Sequence, residues 1–228
     1  MKQLLFDWGT SRPQTLSNFV VGKNAELLTL LDSIAQQSHT NSMHRMITIW
    51  GPPGSGKSHL LHALLLQAHA RVLTPGHPLS EFVWSADQTM YLLDDTDQLS
   101  EQHQQAAFAL FNHVRDTGGY WVATANQPPA QLHLREDLRT RLGWGLIYEL
   151  HELSDEEKMD ALSKSAQSRG LSLSPGVLPY LLTHFRRDMP SLSAMLDALD
   201  RYSLETQRPI TMPLLRELLQ SGQANTSP

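Results

Sequence analysis

Residues 46–59 read MITIWGPPGSGKSH, and this stretch decides the fold. Met46–Trp50 is a short apolar run with β-branched residues, which predicts a buried strand. Gly51–Ser58 then has the complete pattern of a phosphate-binding loop, G-x-x-x-x-G-K-S. We predict a helix from Lys57 to about Ala68, with the positive end of its dipole toward a bound anion. The stretch therefore predicts a nucleoside-phosphate site.

The residue types of this loop each suit the binding of phosphate. Its glycines allow the tight turn in which successive N–H groups converge on phosphate oxygens. Lys57 supplies a mobile positive charge for the β- and γ-phosphates, and the Ser58 hydroxyl can ligate Mg²⁺. An ordinary Gly/Pro-rich turn does not require all of these positions together. The residues expected to bind nucleotide are Gly51, Pro52, Pro53, Gly54, Ser55, Gly56, Lys57 and Ser58.

Composition excludes several classes of protein. With 228 residues, 40% of them hydrophobic, the chain suits one nucleotide-binding domain and a smaller appendage. Its net charge of −5 argues against a dominant, sequence-independent grip on DNA. The absence of cysteine excludes disulfides and thiolate metal sites and fits a reducing compartment. No signal peptide or membrane-length apolar run is present in the sequence, so we expect a cytoplasmic protein without membrane partners.

A second group of polar candidates follows two further apolar runs. The run Thr89–Asp95 ends in two carboxylates, of which Asp94 is expected to hold Mg²⁺ and Asp95 to orient the attacking water. The alternative is that these acids only cap the next helix. Asn126 follows the predicted strand Tyr120–Ala125, at the end of the sheet where ligands bind, so it is expected to reach the γ-phosphate or the water. It could equally be a turn asparagine.

The order of elements predicts an α/β fold followed by a helical region. Apolar strands alternate with helices up to about Leu150, which predicts a parallel sheet covered on both faces. From Ser154 the pattern is helical only, and it opens with a capping box to Glu157. We predict an arm at 1–14, an α/β domain at 15–152, a helical lid at 153–221 and a disordered tail at 222–228. Asn24 is the expected N-cap of a helix from about Ala25.

Two smaller features have open alternatives. The arm carries Gln3, Leu4, Leu5 and Phe6, an amide before an apolar cluster, as in short peptides that bind the bacterial sliding clamp. The alternative is a terminal strand that packs on its own domain. His59 and His62 have the i, i+3 spacing of helical metal ligands, but no nearby carboxylate or cysteine completes a site.

Together these segments resemble the AAA+ ATPases of the DnaA type. The resemblance spans about residues 15–219 and rests on five motifs: Asn18–Gly22, Gly51–Ser58, Asp94-Asp95, Ala125–Pro129 and Arg141–Gly145. It implies an AAA+ domain with a P-loop and a helical lid, ATP or ADP bound with Mg²⁺, and Val20 and Val21 beside the nucleotide. Intrinsic ATP hydrolysis is expected to be weak, because Asp95 is one methylene shorter than the glutamate that many AAA+ enzymes carry.

The arm and the segments Ser58–Ala63 and Leu153–Lys158 are most similar to regulatory DnaA homologues that inactivate the initiator. This similarity implies a protein that binds the DNA-loaded sliding clamp, contacts DNA mainly through it, and stimulates hydrolysis of DnaA-bound ATP, so that re-initiation is prevented. Arg141 would act in trans on that ATP, as an arginine finger. Alternatively, Arg141 pairs with Glu136 or Asp137 on its own helix. The resemblance also allows a nucleotide-dependent homo-oligomer.

The sequence departs from the wider family in two places. Pro190 stands where a lid arginine usually reaches the nucleotide, and Arg186 and Arg187 are the nearest substitutes. The interval between Arg71 and Met90 is too short for the extra helices with which DnaA-type initiators bind single-stranded DNA. An origin binder is disfavoured, because no helix-turn-helix pattern follows the lid. A helicase-loader-like or motor-like ATPase that uses its own ATP remains the main alternative function.

Overall fold

A computed structural model describes residues 13–37, 42–66, 69–185 and 188–224. These residues form two compact units, Pro13–Glu152 and the residues from Leu153 on. No helix in these described ranges is long and apolar enough to cross a membrane.

The first unit is built on a five-stranded parallel sheet in the order β2-β3-β4-β1-β5. The central strands β1, β3 and β4 are almost wholly buried, which explains their nearly continuous apolar sequences. The edge strand β5 alternates half-buried and exposed positions. The strands are β1 Met46–Trp50, β2 Ala70–Leu73, β3 Met90–Leu93, β4 Tyr120–Ala125 and β5 Leu146–Glu149.

Helices cover both faces of the sheet, as predicted. Successive β4 side chains alternate between two cores: Trp121 joins Phe111 of α3, and Val122 joins Leu31 of α1. One face is covered by α3 Glu101–Thr117 and α4 Glu136–Leu142, and the other by α1 Ala25–Ala35 and α2 Lys57–Leu65. α2 ends earlier than the predicted Ala68, and β3 ends at Leu93, so that Asp94 and Asp95 follow the strand rather than close it.

Asn24 stands at the predicted N-cap position of α1, but its side chain forms no capping hydrogen bond with that helix. Its buried amide instead forms two hydrogen bonds with residue 151 beyond β5: Nδ2 donates to the carbonyl oxygen at 3.0 Å, and Oδ1 accepts from the N–H at 2.9 Å. A side-chain amide has both a donor and an acceptor, so this pairing satisfies the C=O and the N–H of one residue beyond the sheet.

The second unit consists of four helices around its own apolar core. They are α5 Asp155–Ser168, α6 Val177–His184, α7 Met189–Thr206 and α8 Met212–Ala224. The predicted capping box is confirmed. The Ser154 hydroxyl accepts from Glu157 N at 3.1 Å, and the Glu157 carboxylate accepts from Ser154 N at 2.8 Å. The predicted disordered tail at 222–228 is too long, since α8 reaches Ala224. A glycine such as Gly222 costs a helix only about 1 kcal/mol, so it need not end one.

Candidate functional site

The phosphate-binding loop and the two other candidate segments lie at one edge of the sheet. They follow β1, β3 and β4, which are adjacent and parallel, so their ends are neighbours. Gly51 N donates to the Ala125 carbonyl oxygen at 3.1 Å, which joins the start of the loop to the strand that precedes Asn126. The fold thus brings together the predicted residues Lys57, Asp94, Asp95 and Asn126.

The loop between β1 and α2 requires glycine at two places for different reasons. At Gly51 a Cβ atom would lie 2.5 Å from the Leu150 carbonyl oxygen, so no larger residue fits. Gly56 has a φ of +104°, a conformation that residues with side chains rarely adopt. Between them, Pro53 and Gly54 are exposed, and Ser55 N donates to the carbonyl oxygen of the half-buried Pro52. The Ser55 hydroxyl is buried without a hydrogen-bond partner among the described residues, as expected of a group that awaits an anion.

Lys57 is folded into the loop. Its ammonium group donates to the carbonyl oxygens of Gly51 at 2.6 Å and Pro52 at 3.0 Å, and to Asn126 Oδ1 at 3.0 Å. These bonds use all three of its donors. Burial lowers the pKa of Lys57, and the negative charges of Asp95, Asp97 and Asp94 oppose that shift. The lysine is therefore held in place by three acceptors within the protein.

Asn126 is fixed by Asp97, a residue that the sequence analysis missed. Asn126 Nδ2 donates to Asp97 Oδ2 at 2.7 Å, and Asn126 N donates to Asp97 Oδ1 at 3.2 Å. The two bonds aim the amide oxygen at Lys57. We refer to Lys57, Asn126 and Asp97 as the lysine cluster. The signal in the sequence was a third acidic residue in Asp94-Asp95-Thr96-Asp97, which only the 3₁₀ turn after β3 brings back toward β4.

Asp94 and Asp95 are arranged by Thr124, a second missed residue. The buried Thr124 hydroxyl donates to Asp94 Oδ1, and Asp95 N donates to Thr124 Oγ1 at 3.1 Å. Asp95 has φ +49°, a strained conformation for a residue with a side chain. Burial, and then the charges of Asp94 and Asp97, raise the pKa of Asp95. A hydroxyl in an otherwise apolar strand was the available signal for Thr124.

The predicted magnesium ligands offer oxygen atoms, which Mg²⁺ prefers. Asp94 is buried, and its Oδ1 accepts from Thr124 and Asp95 N, while no hydrogen bond within the described ranges reaches its Oδ2. Ser58 lies in the first turn of α2, half-buried. The residues present therefore fit a magnesium ion, which Asp94 and Ser58 would hold.

The remaining predicted positions lie on other parts of the chain. Val20 is half-buried and Val21 is exposed, and both follow Phe19, whose ring lies against Gly56. Pro190 occupies the first turn of α7, where its fixed φ suits a helix start after the Asp188 cap. Arg186 and Arg187 lie outside the described residues, as do Gln3, Leu4, Leu5 and Phe6.

Arg141 lies on α4 and makes none of its contacts with the lysine cluster. Its guanidinium carbon stands 5.6 Å from the centre of the Phe108 ring, and its Nε is buried without a hydrogen-bond partner. Asp137 is instead bound by Arg135 at 2.9 Å, and among the described residues Arg141 forms no ion pair. The alternative that Arg141 pairs with Glu136 or Asp137 is therefore wrong. The guanidinium borders an open groove of about 640 Å³ lined by Phe108, Arg135, Glu136, Asp137, Thr140 and Arg141.

Both units are similar to parts of known proteins. Residues 155–219 match the family described as Hda, lid domain. Domain III of the replication initiation protein DnaA from Thermotoga maritima is 20% identical with a TM-score of 0.70, and the match covers 93% of this chain and 98% of that one. AMPPCP-bound DnaA from Aquifex aeolicus is 20% identical with a TM-score of 0.68, over 86% of this chain and 68% of that one. A RuvB variant from Thermotoga maritima is 15% identical with a TM-score of 0.64, over 92% and 72%.

These similarities agree with the geometry of the site. The parallel sheet, the loop between β1 and α2 and the four-helix second unit are all parts of the AAA+ fold, and the predicted fold class is confirmed. The chain therefore has the fold of DnaA domain III, and residues 155–219 in its second unit match the Hda lid domain family.

Proposed function

We propose that this protein is an adenine-nucleotide-binding regulator of bacterial chromosome replication. While bound to the DNA-loaded sliding clamp, it stimulates hydrolysis of the ATP held by DnaA, and so it prevents re-initiation. The observation that carries the proposal is Arg141, a guanidinium that borders an open groove without a carboxylate partner in the described structure.

The surroundings of Arg141 suit an arginine that acts on another protein's phosphate. Two acids stand on the same helix, yet the closer one on helical spacing, Asp137, is neutralised by Arg135. The Phe108 ring supports the guanidinium from one side without consuming its donors. A planar cation with free donors binds phosphate oxygens in a bidentate manner, and it stabilises the charge that develops in phosphoryl transfer.

The nucleotide site supports adenine nucleotide with Mg²⁺ as the cofactor. One similar structure, DnaA from Aquifex aeolicus, holds the ATP analogue AMPPCP, and this chain has a complete phosphate-binding loop. The loop glycines, Lys57, the unpartnered Ser55 hydroxyl and the available Asp94 oxygen would bind the phosphates and the metal. A bound metal would neutralise phosphate charge, and Asp95 would orient water.

Contact with the clamp rests on the sequence Gln3–Phe6 alone, through the resemblance of that segment to clamp-binding peptides. Rigid apolar anchors such as Leu4 and Phe6 provide most of the affinity in peptides of this kind. With a net charge of −5, the chain is expected to reach DNA mainly through the clamp. The test is co-elution with the clamp, which Gln3→Ala should weaken.

The decisive experiment measures ADP released from DnaA-bound ATP in the presence of clamp-loaded DNA. Arg141→Ala should lower the stimulation by about 10³-fold, the low end for trans arginine fingers. Arg139→Ala is the matched control, because it removes an arginine from the same helix and should leave stimulation unchanged. Both variants should bind nucleotide and clamp as the wild type does. Equal stimulation by Arg141→Ala and wild type would show that the guanidinium has no role in trans.

A motor-like ATPase is the second candidate, since the phosphate-binding loop, Asp94 and Asp95 are all present in one site. The two functions differ in the turnover of the isolated protein. A regulator needs little hydrolysis of its own, and the short Asp95 side chain holds water less well than a glutamate would. Turnover of about 1 s⁻¹ or faster, within the range of ordinary enzymes, would favour the motor.

A further inference from the structure

The two histidines on α2 bind the segment that precedes α1. His59 Nε2 donates to the Thr15 carbonyl oxygen at 3.0 Å, and His62 Nδ1 donates to Gln14 Oε1 at 2.6 Å. Their i, i+3 spacing places both rings on one side of α2. We call residues 13–22 the strap, since the histidines fasten this segment to the helix that begins at the phosphate-binding loop.

The strap is an ordered turn with its own hydrogen bonds. Asn18 N donates to Thr15 Oγ1 at 3.2 Å, and Thr15 N donates back to Asn18 Oδ1 at 3.0 Å, which together form a capping box. Asn18 Nδ2 also donates to the Pro13 carbonyl oxygen at 2.8 Å. These bonds leave the Thr15 carbonyl oxygen directed to His59. The strap therefore packs on α2 in a conformation that its own hydrogen bonds already fix.

Phe19 carries the contact from the strap to the phosphate-binding loop. Its ring packs edge-on against the His59 ring, with 5.3 Å between the centroids. A Cβ atom on Gly56 would lie 2.8 Å from Phe19 Cε2, so the ring covers the backbone at the left-handed turn of the loop. His59 thus touches the strap twice, through Thr15 and through Phe19, and both contacts lie one turn of helix from Gly56.

We infer that His59 is a positioning residue of the nucleotide site, which acts through Phe19 to hold the Gly56 turn in its phosphate-binding conformation. This inference rests on the proposed nucleotide site. It follows from the order of contacts: His59 fixes the ring, the ring covers Gly56, and the N–H groups around Gly56 are those that converge on phosphate. Since coupling is reciprocal, bound polyphosphate also stabilises the strap on α2.

His59 suits this role because one side chain supplies both contacts with the strap. Its Nε2–H donates to the Thr15 carbonyl oxygen, and its ring packs against the edge of Phe19. An alanine here would remove the donor and the ring contact together, which warrants separate variants for each.

The experiment measures dissociation constants for Mg-ADP and for inorganic tripolyphosphate, which competes at the loop without a base. His59→Ala should weaken both by the same factor, about tenfold, because one hydrogen bond and one aromatic contact are lost. His59→Gln keeps a nitrogen donor near the Nε2 position, and His59→Phe keeps the ring, so each should lose only part of the affinity. His133→Ala, at an exposed histidine, is the control and should change nothing.

A double-mutant cycle distinguishes positioning from general support of the fold. Phe19→Ala and His59→Ala should be non-additive in ADP affinity, because both act through the single contact between the Phe19 ring and Gly56. Additive losses, or full ADP affinity in folded His59→Gln and His59→Phe, would overturn the inference while the nucleotide site stands. A wild-type protein that binds neither Mg-ADP nor tripolyphosphate would overturn the nucleotide site as well.

Discussion

The two cationic sites of the α/β unit are built in opposite ways. At Lys57, every donor of the ammonium group has a partner within the protein, and the amide that it meets is fixed in turn by Asp97. At Arg141, the guanidinium rests on an aromatic ring, and no carboxylate of the described chain pairs with it. A lysine whose acceptors lie within the protein is stable in a cleft before a ligand binds. An arginine without a carboxylate partner is instead available to bind an anion of another molecule.

The difference in residue type fits this division. A buried ammonium group is strongly hydrated in water, so its burial costs stability unless oxygen atoms replace that water. Two backbone carbonyls and one amide do so for Lys57, and phosphate oxygens can replace them with stronger, charge-assisted bonds. A guanidinium is more weakly hydrated and stacks on aromatic faces, so Arg141 can remain half-exposed at little cost.

The largest effect is expected at Lys57. Lys57→Ala should weaken binding of Mg-ADP by roughly ten- to hundredfold, because a charge-assisted contact worth about 1.5–3 kcal/mol is lost. Lys164→Ala, at an exposed lysine on α5, should bind as the wild type does. Titration with a fluorescent ADP analogue measures both. Equal affinity in the Lys57 variant would mean that the internal partners of the lysine are structural and that no ligand replaces them.

A substitution at Asp97 tests how much its two hydrogen bonds to Asn126 contribute to stability. Asp97→Ala leaves the Asn126 N–H and amide without their acceptor, which should lower the free energy of unfolding by about 1–3 kcal/mol. Asp87→Ala removes an exposed carboxylate and should leave the urea unfolding midpoint unchanged. Identical midpoints for the Asp97 variant and wild type would show that Asn126 is held by other means.

The contrast between Lys57 and Arg141 should disappear in a variant in which Arg141 acquires a carboxylate partner. Arg135→Ala frees Asp137, which lies four residues before Arg141 on α4 and can then pair with it. Stimulation of DnaA should fall about two- to fivefold, as expected for an exposed pair of this spacing. The double variant Arg135→Ala/Asp137→Ala should restore it. Failure of the second change to restore activity would assign the loss to Arg135 itself.

The smallest effect concerns the excess negative charge near Lys57. Because burial and neighbouring acids raise the pKa of Asp95, the folded protein binds a proton there more readily than the unfolded chain, whose value is about 3.8. Ionised Asp95 therefore destabilises the fold at pH 7, and this cost disappears as the pH falls through its raised pKa toward 3.8. Asp95→Asn should raise the free energy of unfolding at pH 7 by up to about 1 kcal/mol.

Urea unfolding of Asp95→Asn and wild type at several pH values tests whether ionised Asp95 destabilises the fold. The stability difference should be largest near neutrality and should narrow toward pH 4, because the wild-type carboxyl then gains its proton. Asparagine also tolerates the left-handed backbone at this position, so the substitution adds no strain. A difference that widens on acidification would mean that Asp95 is stabilised as a carboxylate.

The parts of the site that the sequence predicted are those defined by strand ends. The apolar runs at β1, β3 and β4 mark strands without reference to the rest of the chain, so Gly51, Asp94 and Asn126 could be placed at one edge of the sheet. Thr124 and Asp97 could not be found in this way, because each acts on a residue that follows the other strand. Such pairings depend on sheet order and register, which periodicity does not specify.

The sequence also did not predict which of several possible partners a polar side chain binds. Arg135 and Arg141 both lie within reach of Asp137 on helical spacing or in the turn before it, and the sequence does not rank them. The extended backbone of Arg135, just before α4, lets its guanidinium return to Asp137 with two hydrogen bonds. Asn24 stands at the predicted N-cap position, but its side chain binds a backbone partner 127 positions away instead of the helix end beside it.

The bonds between Asn24 and residue 151 have a mechanical consequence. Asn24 stands just before α1 and residue 151 just after β5, so the segment from the first α-helix to the last strand begins and ends at one point. Tension applied across these two points would load two hydrogen bonds before any strand of the sheet. The same closure means that the unit can be opened elsewhere and rejoined here, with new ends at an exposed turn, without moving a strand.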